Sequence, residues 1–211
     1  MQNVSHAVMA QRHEPKDSND DFPTPPWATR ALLHHVIGHV PFHQSTCLEP
    51  ACGRGYMSRP LAEKFASVES SDLVDYGFGH TRDFLAYPYA RGGYDWVITN
   101  PPFKLAMEFA ERALEVARQG VAILARTVFL ESITRYETLF LPRPPTYVAQ
   151  FVERVPMVKG RVDPKASTAT GYAWFVWDKT QNSAPTRLVW IPPCRSKLER
   201  PEDYIQASFR S

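Results

Sequence analysis

The chain has 211 residues, a formal net charge of +2 and 44% hydrophobic residues. This composition excludes an intrinsically disordered chain, and the length suits one α/β domain with a buried core rather than two full domains. The mildly basic balance permits a nucleic-acid partner without requiring one.

The sequence predicts no membrane-spanning helix, no disulfide framework and no metal site. No apolar run approaches the roughly 18 residues that a spanning helix needs, and the N-terminal residues lack the apolar core of a secretion signal. Cys47, Cys52 and Cys194 have no paired spacing, and no group of histidines and cysteines has metal-ligand spacing. The sequence therefore predicts a cytoplasmic protein with no metal.

The first part of the chain consists of a polar arm followed by a helix. Residues 1–21 lack hydrophobic periodicity, which predicts a flexible arm. Thr24 is expected to cap a helix over residues 26–38, because the first turn of a helix tolerates proline and apolar residues then recur at helical spacing.

Strands then alternate with helices as far as residue 126, and strand-like segments without helices between them follow a last helix. One predicted strand ends near residue 48, and the others cover residues 67–71, 95–99, 120–126, 147–155, 172–177 and 187–191. The predicted helices cover residues 61–65, 105–118 and 133–140. This order predicts a mostly parallel seven-stranded sheet with an antiparallel edge and helices on both faces. We expect one domain over residues 22–195 and a tail over residues 196–211.

A glycine-containing turn, Glu49-Pro50-Ala51-Cys52-Gly53-Arg54-Gly55, follows the first predicted strand. Glycines at the carboxyl end of a strand let a ligand approach the backbone closely. A phosphate-binding P-loop would need a lysine directly after Gly55, and the sequence has none there. A dinucleotide-binding fingerprint would need a third small residue where Ser58 stands, and it does not require an acid at the position of Glu49. An acid before the loop favours a cationic ligand such as S-adenosylmethionine, whose ammonium group Glu49 can pair with.

Two more acids follow later strands. Asp72 stands just past the second strand, where a carboxylate can accept both hydroxyls of a ribose. Asp83 and Phe84 offer a carboxylate for the amino group of adenine and an aromatic face for its ring. Three acids in this register favour a nucleoside site over simple turn chemistry.

The tetrapeptide Asn100-Pro101-Pro102-Phe103 directly follows the strand over residues 95–99. Its prolines hold the loop rigid and remove two N–H donors. The side-chain oxygen of Asn100 and the carbonyl of Pro101 can each accept one N–H of a planar amine, while Phe103 stacks on the ring that bears it. Catalysis would then depend on orientation and electrostatics, with no ordinary general base. A plain Asn-Pro-Pro turn is the structural alternative.

Together these motifs resemble the DNA amino-methyltransferases, specifically class I adenine-N6 enzymes in which the cofactor motif precedes the catalytic one. The pattern is also similar to that of small methyltransferases of phages and prophages, and the resemblance runs from about Phe22 to Trp177. It implies a Rossmann-like fold, S-adenosyl-L-methionine as cofactor and Asn100 to Phe103 as the catalytic residues. The residues that it implies in cofactor binding are Thr24, Pro25, Trp27, Glu49, Pro50, Ala51, Gly53, Gly55, Asp72, Asp83, Phe84 and Asn100.

Two features depart from that family. Residues 73–82 are too few for an ordinary crossover helix, so the sheet is expected to be irregular there. No separate target-recognition domain follows the catalytic loop, which predicts short or relaxed sequence recognition. Candidate phosphate contacts are Lys104, Arg126, Lys159, Arg161 and Lys165. A two-fold dimer is one way to supply more DNA surface.

The leading hypothesis is methyl transfer to N6 of adenine in DNA, on a base flipped into the catalytic loop. Methylation of an RNA base or of a protein glutamine is the alternative within the enzymes, because the loop accepts any planar amine or amide. Glutamine methylation would call for a peptide groove that the sequence does not indicate. A non-catalytic nucleic-acid-binding protein with the same fold is the alternative from another class, and intact Asn100, Phe103 and Asp83 argue against it.

Overall fold

The computed structural model describes residues 20–181 and 185–204, and within them eight strands form one sheet. The strands are β1 (Thr46–Glu49), β2 (Ser67–Asp72), β3 (His80–Thr81), β4 (Tyr94–Thr99), β5 (Ala117–Arg126), β6 (Tyr147–Phe151), β7 (Tyr172–Asp178) and β8 (Arg187–Ile191). The helices are α1 (Pro26–His35), α2 (Ser58–Ala62), α3 (Ala106–Val116), α4 (Ile133–Arg135) and α5 (Arg195–Leu198). Short 3-10 turns lie at Phe42–Gln44, Phe103–Leu105, Thr127–Leu130 and Pro201–Tyr204, and a π-helical turn lies at Tyr136–Phe140.

The order of strands across the sheet is β3-β2-β1-β4-β5-β7-β6-β8. The first five are parallel neighbours, β7 is antiparallel to both β5 and β6, and β8 is parallel to β6. The expected α/β sheet, mostly parallel with an antiparallel edge, is confirmed. It has eight strands rather than seven, because β3 has only two residues and no periodicity that a sequence pattern could detect.

The connection between β2 and β3 contains no helix, as the short spacing between Asp72 and Asp83 predicts. Gly77 and Gly79 in this connection have φ values of +74° and +73°, a left-handed region that favours glycine. A Cβ atom at Gly79 would lie 2.6 Å from the carbonyl oxygen of Ser70. Glycine therefore lets this connection turn tightly against β2.

Buried side chains lie on both faces of the sheet. Successive strand residues point to opposite faces, so Trp96 belongs to one core and Val97 to the other. The first core packs α1 and α2 against the sheet, with Trp27 and Leu61 fully buried. The second core packs α3 against the opposite face through Phe109 and its neighbours. Helices therefore cover both faces, and most residues of the central strands β1, β4 and β5 are buried.

The helices differ from the predicted ones mainly at their ends. The helix predicted over residues 26–38 ends at His35, and α3 ends at Val116, where β5 begins. The prediction that Thr24 caps α1 is wrong, because Pro25 is the N-cap and no side chain caps the helix. Pro26 has no N–H to be capped, so the hydroxyl of Thr24 has no helical donor to satisfy at that position.

Part of the predicted C-terminal tail contacts α1. Arg30 on α1 is 5% exposed and donates to Asp203 over 2.8 and 2.9 Å and to Glu63 over 2.7 Å. This network ties the first nine residues of the predicted tail, 196–204, to α1. Residues 1–19 of the predicted arm and residues 205–211 lie outside the described residues.

Over the described ranges no helix combines the length and apolar character needed to cross a bilayer. In the same part of the chain no group of three or more His, Cys, Asp or Glu side chains could hold a metal ion.

Candidate active site

A cavity of about 240 Å³ opens at the carboxyl edge of the parallel strands. Glu49 is the last residue of β1, Asp72 is the last residue of β2, Asp83 follows β3, and Asn100 follows β4. Parallel neighbouring strands bring their carboxyl ends to one edge, where open α/β sheets bind ligands. All four of these predicted residues line the cavity.

The glycine loop forms one wall of the cavity. The N–H of Gly53 donates to a carboxylate oxygen of Asp72 over 2.8 Å, and the N–H of Val74 donates to the other over 3.0 Å. Gly53 has a φ of +49°, and no atom lies within 4 Å of the position that a Cβ would occupy. Glycine here leaves open space beside the loop backbone, while Asp72 holds the loop to the end of β2.

Glu49 is 2% exposed and accepts a short hydrogen bond from the hydroxyl of Ser58, which in turn accepts one of 2.8 Å from Ser70. Burial raises the pKa of Glu49 to about 8, and it also raises the pKa of Asp72. The Glu49 carboxyl is therefore protonated at neutral pH in the free protein. A cation bound beside it would restore its charge.

Residues 20–22, which we call the N-terminal strap, cross the site and bond to its other loops. A carboxylate oxygen of Asp20 accepts from the N–H of Phe103 over 2.6 Å, and the carbonyl of Phe22 accepts from the side-chain amide of Asn100 over 2.9 Å. Asp21 pairs with Arg54 at 2.7 Å. The strap therefore connects the glycine loop to the Asn100–Phe103 tetrapeptide.

The strap also adds carboxyl groups to the cavity. The five acidic residues that line the cavity are Asp20 and Asp21 of the strap, together with Glu49, Asp72 and Asp83. Arg54 is the cationic residue in the described lining, and it is paired with Asp21. Sequence reasoning missed Asp20 and Asp21, although their position directly before Phe22 was a signal that could have found them. This cavity is suited to a cationic ligand.

Asn100 presents an acceptor that has no partner among the described residues. Its side-chain NH2 donates to Phe22, which fixes the orientation of the amide, and its side-chain oxygen is buried and unpaired. The hydroxyl oxygen of Thr24, another cavity-lining residue, is buried and unpaired in the same way. Buried polar atoms are nearly always hydrogen-bonded, so both atoms favour a ligand that completes their bonding.

Phe103 lies beside the cavity rather than in its lining. Its ring centroid is 5.5 Å from that of Phe22 and 6.3 Å from that of Tyr172. The guanidinium carbon of Arg126 lies 4.0 Å from the centroid of the Phe103 ring. The aromatic residue of the tetrapeptide is therefore half-buried, with a cation stacked on one face.

Several residues predicted for cofactor binding, and Pro101 of the predicted catalytic set, do not line the cavity. Trp27 is fully buried in the core, where its ring packs edge-on against Phe151 at 5.7 Å. Pro25, Gly55 and Pro101 are also absent from the lining, whereas Thr24, Pro50, Ala51 and Gly53 belong to it. Phe84 lines the cavity but is 2% exposed, since its ring packs on Phe109 at 5.0 Å.

The five predicted phosphate contacts are not clustered on one element. Lys104, Lys159, Arg161 and Lys165 are exposed, and Arg161 lies 3.3 Å from Asp163. Arg126 differs from them, because it is partly buried at the end of β5 and touches the catalytic loop through Phe103.

Solved structures share this fold. The modification subunit of a candidate type I restriction enzyme from Vibrio vulnificus is 14% identical, with a TM-score of 0.60 over 89% of this chain and 50% of that chain. A candidate RNA methyltransferase from Pyrococcus horikoshii is 15% identical, with a TM-score of 0.58 over 82% of this chain and 91% of that chain. This chain thus spans half the length of the Vibrio subunit.

At these identities the likeness establishes the fold, which is a Rossmann-like mixed α/β fold of the kind found in methyltransferases. No protein-family model and no curated protein sequence matches the chain.

Proposed function

We propose that this protein is an S-adenosylmethionine-dependent methyltransferase that methylates an exocyclic amino nitrogen, with N6 of adenine in DNA as the substrate. The observation that carries the proposal is the buried, unpaired side-chain oxygen of Asn100 at the edge of an acidic cavity. An amine that donates an N–H would satisfy this oxygen, and a cationic cofactor would satisfy the carboxylates. S-adenosylmethionine supplies an electrophilic methyl group and leaves as the neutral thioether.

The donor set of the cavity fits that cofactor. Glu49 would face the ammonium group of the cofactor from a buried position, and a cation beside it would lower the raised pKa of its carboxyl. Asp72 can accept ribose hydroxyls with the lone pairs that Gly53 and Val74 leave free. Asp83 is exposed at the far side of the lining, where it can accept from the adenine amino group.

The tetrapeptide orients the amine. The side-chain oxygen of Asn100 accepts one N–H, and the carbonyl of Pro101 is the acceptor that we assign to the second. These two bonds would turn the nitrogen lone pair toward the methyl carbon of a bound cofactor, so that an N–C bond could form while the S–C bond breaks and its electron pair stays on sulfur. The nitrogen becomes cationic and then loses a proton to water, so no base of raised pKa is needed.

Adenine in DNA is favoured by the resemblance of the Asn100 to Phe103 loop to the adenine-N6 enzymes and by the fold shared with a modification subunit. An RNA base is the second candidate, because a candidate RNA methyltransferase shares the fold over 91% of its own length. Both substrates present a planar exocyclic amine, so the same loop chemistry serves either one.

The test measures tritium transfer from labelled S-adenosylmethionine to unmethylated plasmid DNA, total RNA and cell protein, with products digested to nucleosides or amino acids. We expect N6-methyladenine in DNA. Asn100→Ala should lower the rate by about 10² to 10³, as expected when one oriented hydrogen-bonding group is removed from the reacting centre. Cofactor affinity, measured by calorimetry, should fall much less than the rate, because most of the lining of the cavity stays in place.

Gln44→Ala is the matched control, because it removes an exposed amide on the 3-10 turn before β1. Its rate should equal that of the wild type. DNA labelling that persists unchanged in Asn100→Ala contradicts the mechanism. Label confined to RNA or to glutamine contradicts the substrate, and cofactor binding without any transfer contradicts the activity.

A further inference from the structure

A second cleft lies beside the cavity, over the other half of the same sheet edge. Its volume is about 780 Å³, and its lining includes Arg126, Gln150, Arg154, Tyr172 and Trp190. Arg126 ends β5, Tyr172 begins the antiparallel β7, and Trp190 is near the end of β8. We call it the lateral cleft.

The catalytic loop separates the lateral cleft from the cavity. Asn100 and Pro102 line the cavity. On the other side, the ring of Phe103 is stacked under Arg126 at 4.0 Å and lies 6.3 Å from Tyr172, and both of these residues line the lateral cleft. A molecule in the lateral cleft would therefore reach the tetrapeptide from the side opposite the cofactor.

The lateral cleft carries two cations that no carboxylate neutralises within the described residues. The Nε of Arg126 is buried and has no hydrogen-bond partner there. Arg154 is exposed and donates to the backbone carbonyl of Ala169 over 2.9 Å. The acid in the described lining, Glu153, accepts from the N–H groups of Cys194 and Arg195, which directs its carboxylate toward α5. An anionic ligand fits this arrangement.

Trp190 adds an aromatic surface to the same cleft. Its side chain is 63% exposed on β8, which is unusual for the largest aromatic residue in a protein with a well-buried core. Exposed aromatic side chains beside cationic ones are the arrangement with which proteins bind single strands, since each base offers a stacking face and each phosphate a charge.

We infer that the lateral cleft binds the nucleic-acid strand that carries the target base, with Arg154 on a phosphate and Trp190 stacked on a flanking base. This assignment rests on the proposed function, and it names the surface that would hold the substrate strand beside the tetrapeptide. In the free protein the guanidinium of Arg126 stacks on the ring of Phe103. When the target base stacks on that ring instead, Arg126 shifts toward the phosphate backbone of the nucleic acid. Specificity would then come from stacking and charge more than from base edges, consistent with relaxed recognition.

The test is fluorescence anisotropy of a short labelled single-stranded DNA, with S-adenosylhomocysteine present, over a series of salt concentrations. Trp190→Ala should raise Kd about tenfold without changing the salt dependence, because a stacking contact carries no charge. Arg154→Ala should raise Kd and reduce the slope of log Kd against log salt by about one phosphate contact.

Matched controls separate the cleft from general effects. Arg91→Ala removes an exposed arginine before the amino end of β4, and Leu188→Ala removes a 58% exposed apolar side chain two positions before Trp190. Neither residue lines the lateral cleft. Both controls should bind DNA as the wild type does, and all variants should keep the same cofactor affinity if they are folded.

Methyl transfer by the same proteins distinguishes the two proposals. DNA methylation with an unchanged KM in both Trp190→Ala and Arg154→Ala overturns the lateral cleft and leaves the proposed function standing. Loss of DNA affinity in these variants without methyl transfer by the wild type supports the cleft and overturns the proposed function. A labelled RNA of the same sequence that binds more tightly, with the same dependence on both residues, supports the cleft with RNA as its strand.

Discussion

The side-chain amide of Asn100 donates a hydrogen bond of 2.9 Å to the carbonyl oxygen of Phe22, 78 positions earlier in the chain. This bond uses the NH2 group of the amide and leaves its oxygen as the acceptor at the cavity. The orientation of the acceptor that the proposed amine methylation would use is therefore set partly by the N-terminal strap, and not by the tetrapeptide alone.

Removal of the strap carboxylate should loosen the catalytic loop. Asp20→Ala takes away the acceptor of the Phe103 N–H, a charge-assisted bond of 2.6 Å, and should lower the free energy of unfolding by about 1 to 2 kcal/mol. Asp20→Asn keeps a neutral acceptor and should lose less. Urea unfolding measures both values, and equal stability of Asp20→Ala and wild type would contradict the role assigned to this bond.

Cofactor affinity should rise with pH between about 6 and 8. The pKa of Glu49 is about 8 in the free protein, and a bound ammonium lowers it, so binding releases a proton wherever the free carboxyl is still protonated. Affinity therefore increases as pH approaches 8 and then levels off with respect to this group. Calorimetry in buffers of different ionisation enthalpy counts the released proton. Glu49→Gln should bind more weakly and lose this part of the pH dependence, and an identical pH profile in the variant would rule out Glu49 as the coupled group.

The same carboxyl should make the free protein less stable as pH rises. The folded state keeps the Glu49 proton up to about pH 8, while the unfolded chain releases it near 4.5, so the folded state binds more protons between these values. The free energy of unfolding therefore falls through this window. Glu49→Gln has no such proton to lose, and the difference in stability between variant and wild type should grow from pH 5 to pH 8. A difference that stays constant with pH would contradict the buried, protonated state.

The C-terminal contact with α1 should be a large contributor to stability. Asp203→Ala leaves the buried guanidinium of Arg30 with Glu63 as its remaining carboxylate, and loss of a buried ion-pair partner costs about 3 to 5 kcal/mol. We expect the lower end of that range because Glu63 stays in place. Chemical denaturation measures the loss, and Glu202→Ala, an exposed neighbour on the same 3-10 turn, is the control that should remain close to wild type.

Much of the site could be predicted because its residues are encoded next to the strands that place them. Glu49, Asp72 and Asn100 stand at or directly after strand ends, and parallel pairing of β1, β2 and β4 then brings them together. Local patterns suffice for this, since apolar runs locate strands and glycine or proline locates the turns that follow. The roles assigned to these side chains remain proposals.

Several features were not indicated by local patterns, and each has a physical reason. The structure places the large apolar side chain of Trp27 in the first core, where its burial is favourable, and not in the lining of the cavity. The eighth strand was too short to have a pattern. The contact of Asp203 with Arg30 was not predicted, since the two residues are 173 positions apart in the chain.

The sequence by itself determined the α/β class, the parallel strands and the order of the motifs along them, because strand periodicity and turn chemistry act over a few neighbouring residues. Only the tertiary structure decided that Asp20 bonds to Phe103, that the side-chain oxygen of Asn100 has no partner among the described residues, and that Arg126 covers an aromatic ring beside a second cleft. These contacts join segments that are remote in the chain, and they exist because sheet order and core packing bring those segments to one edge.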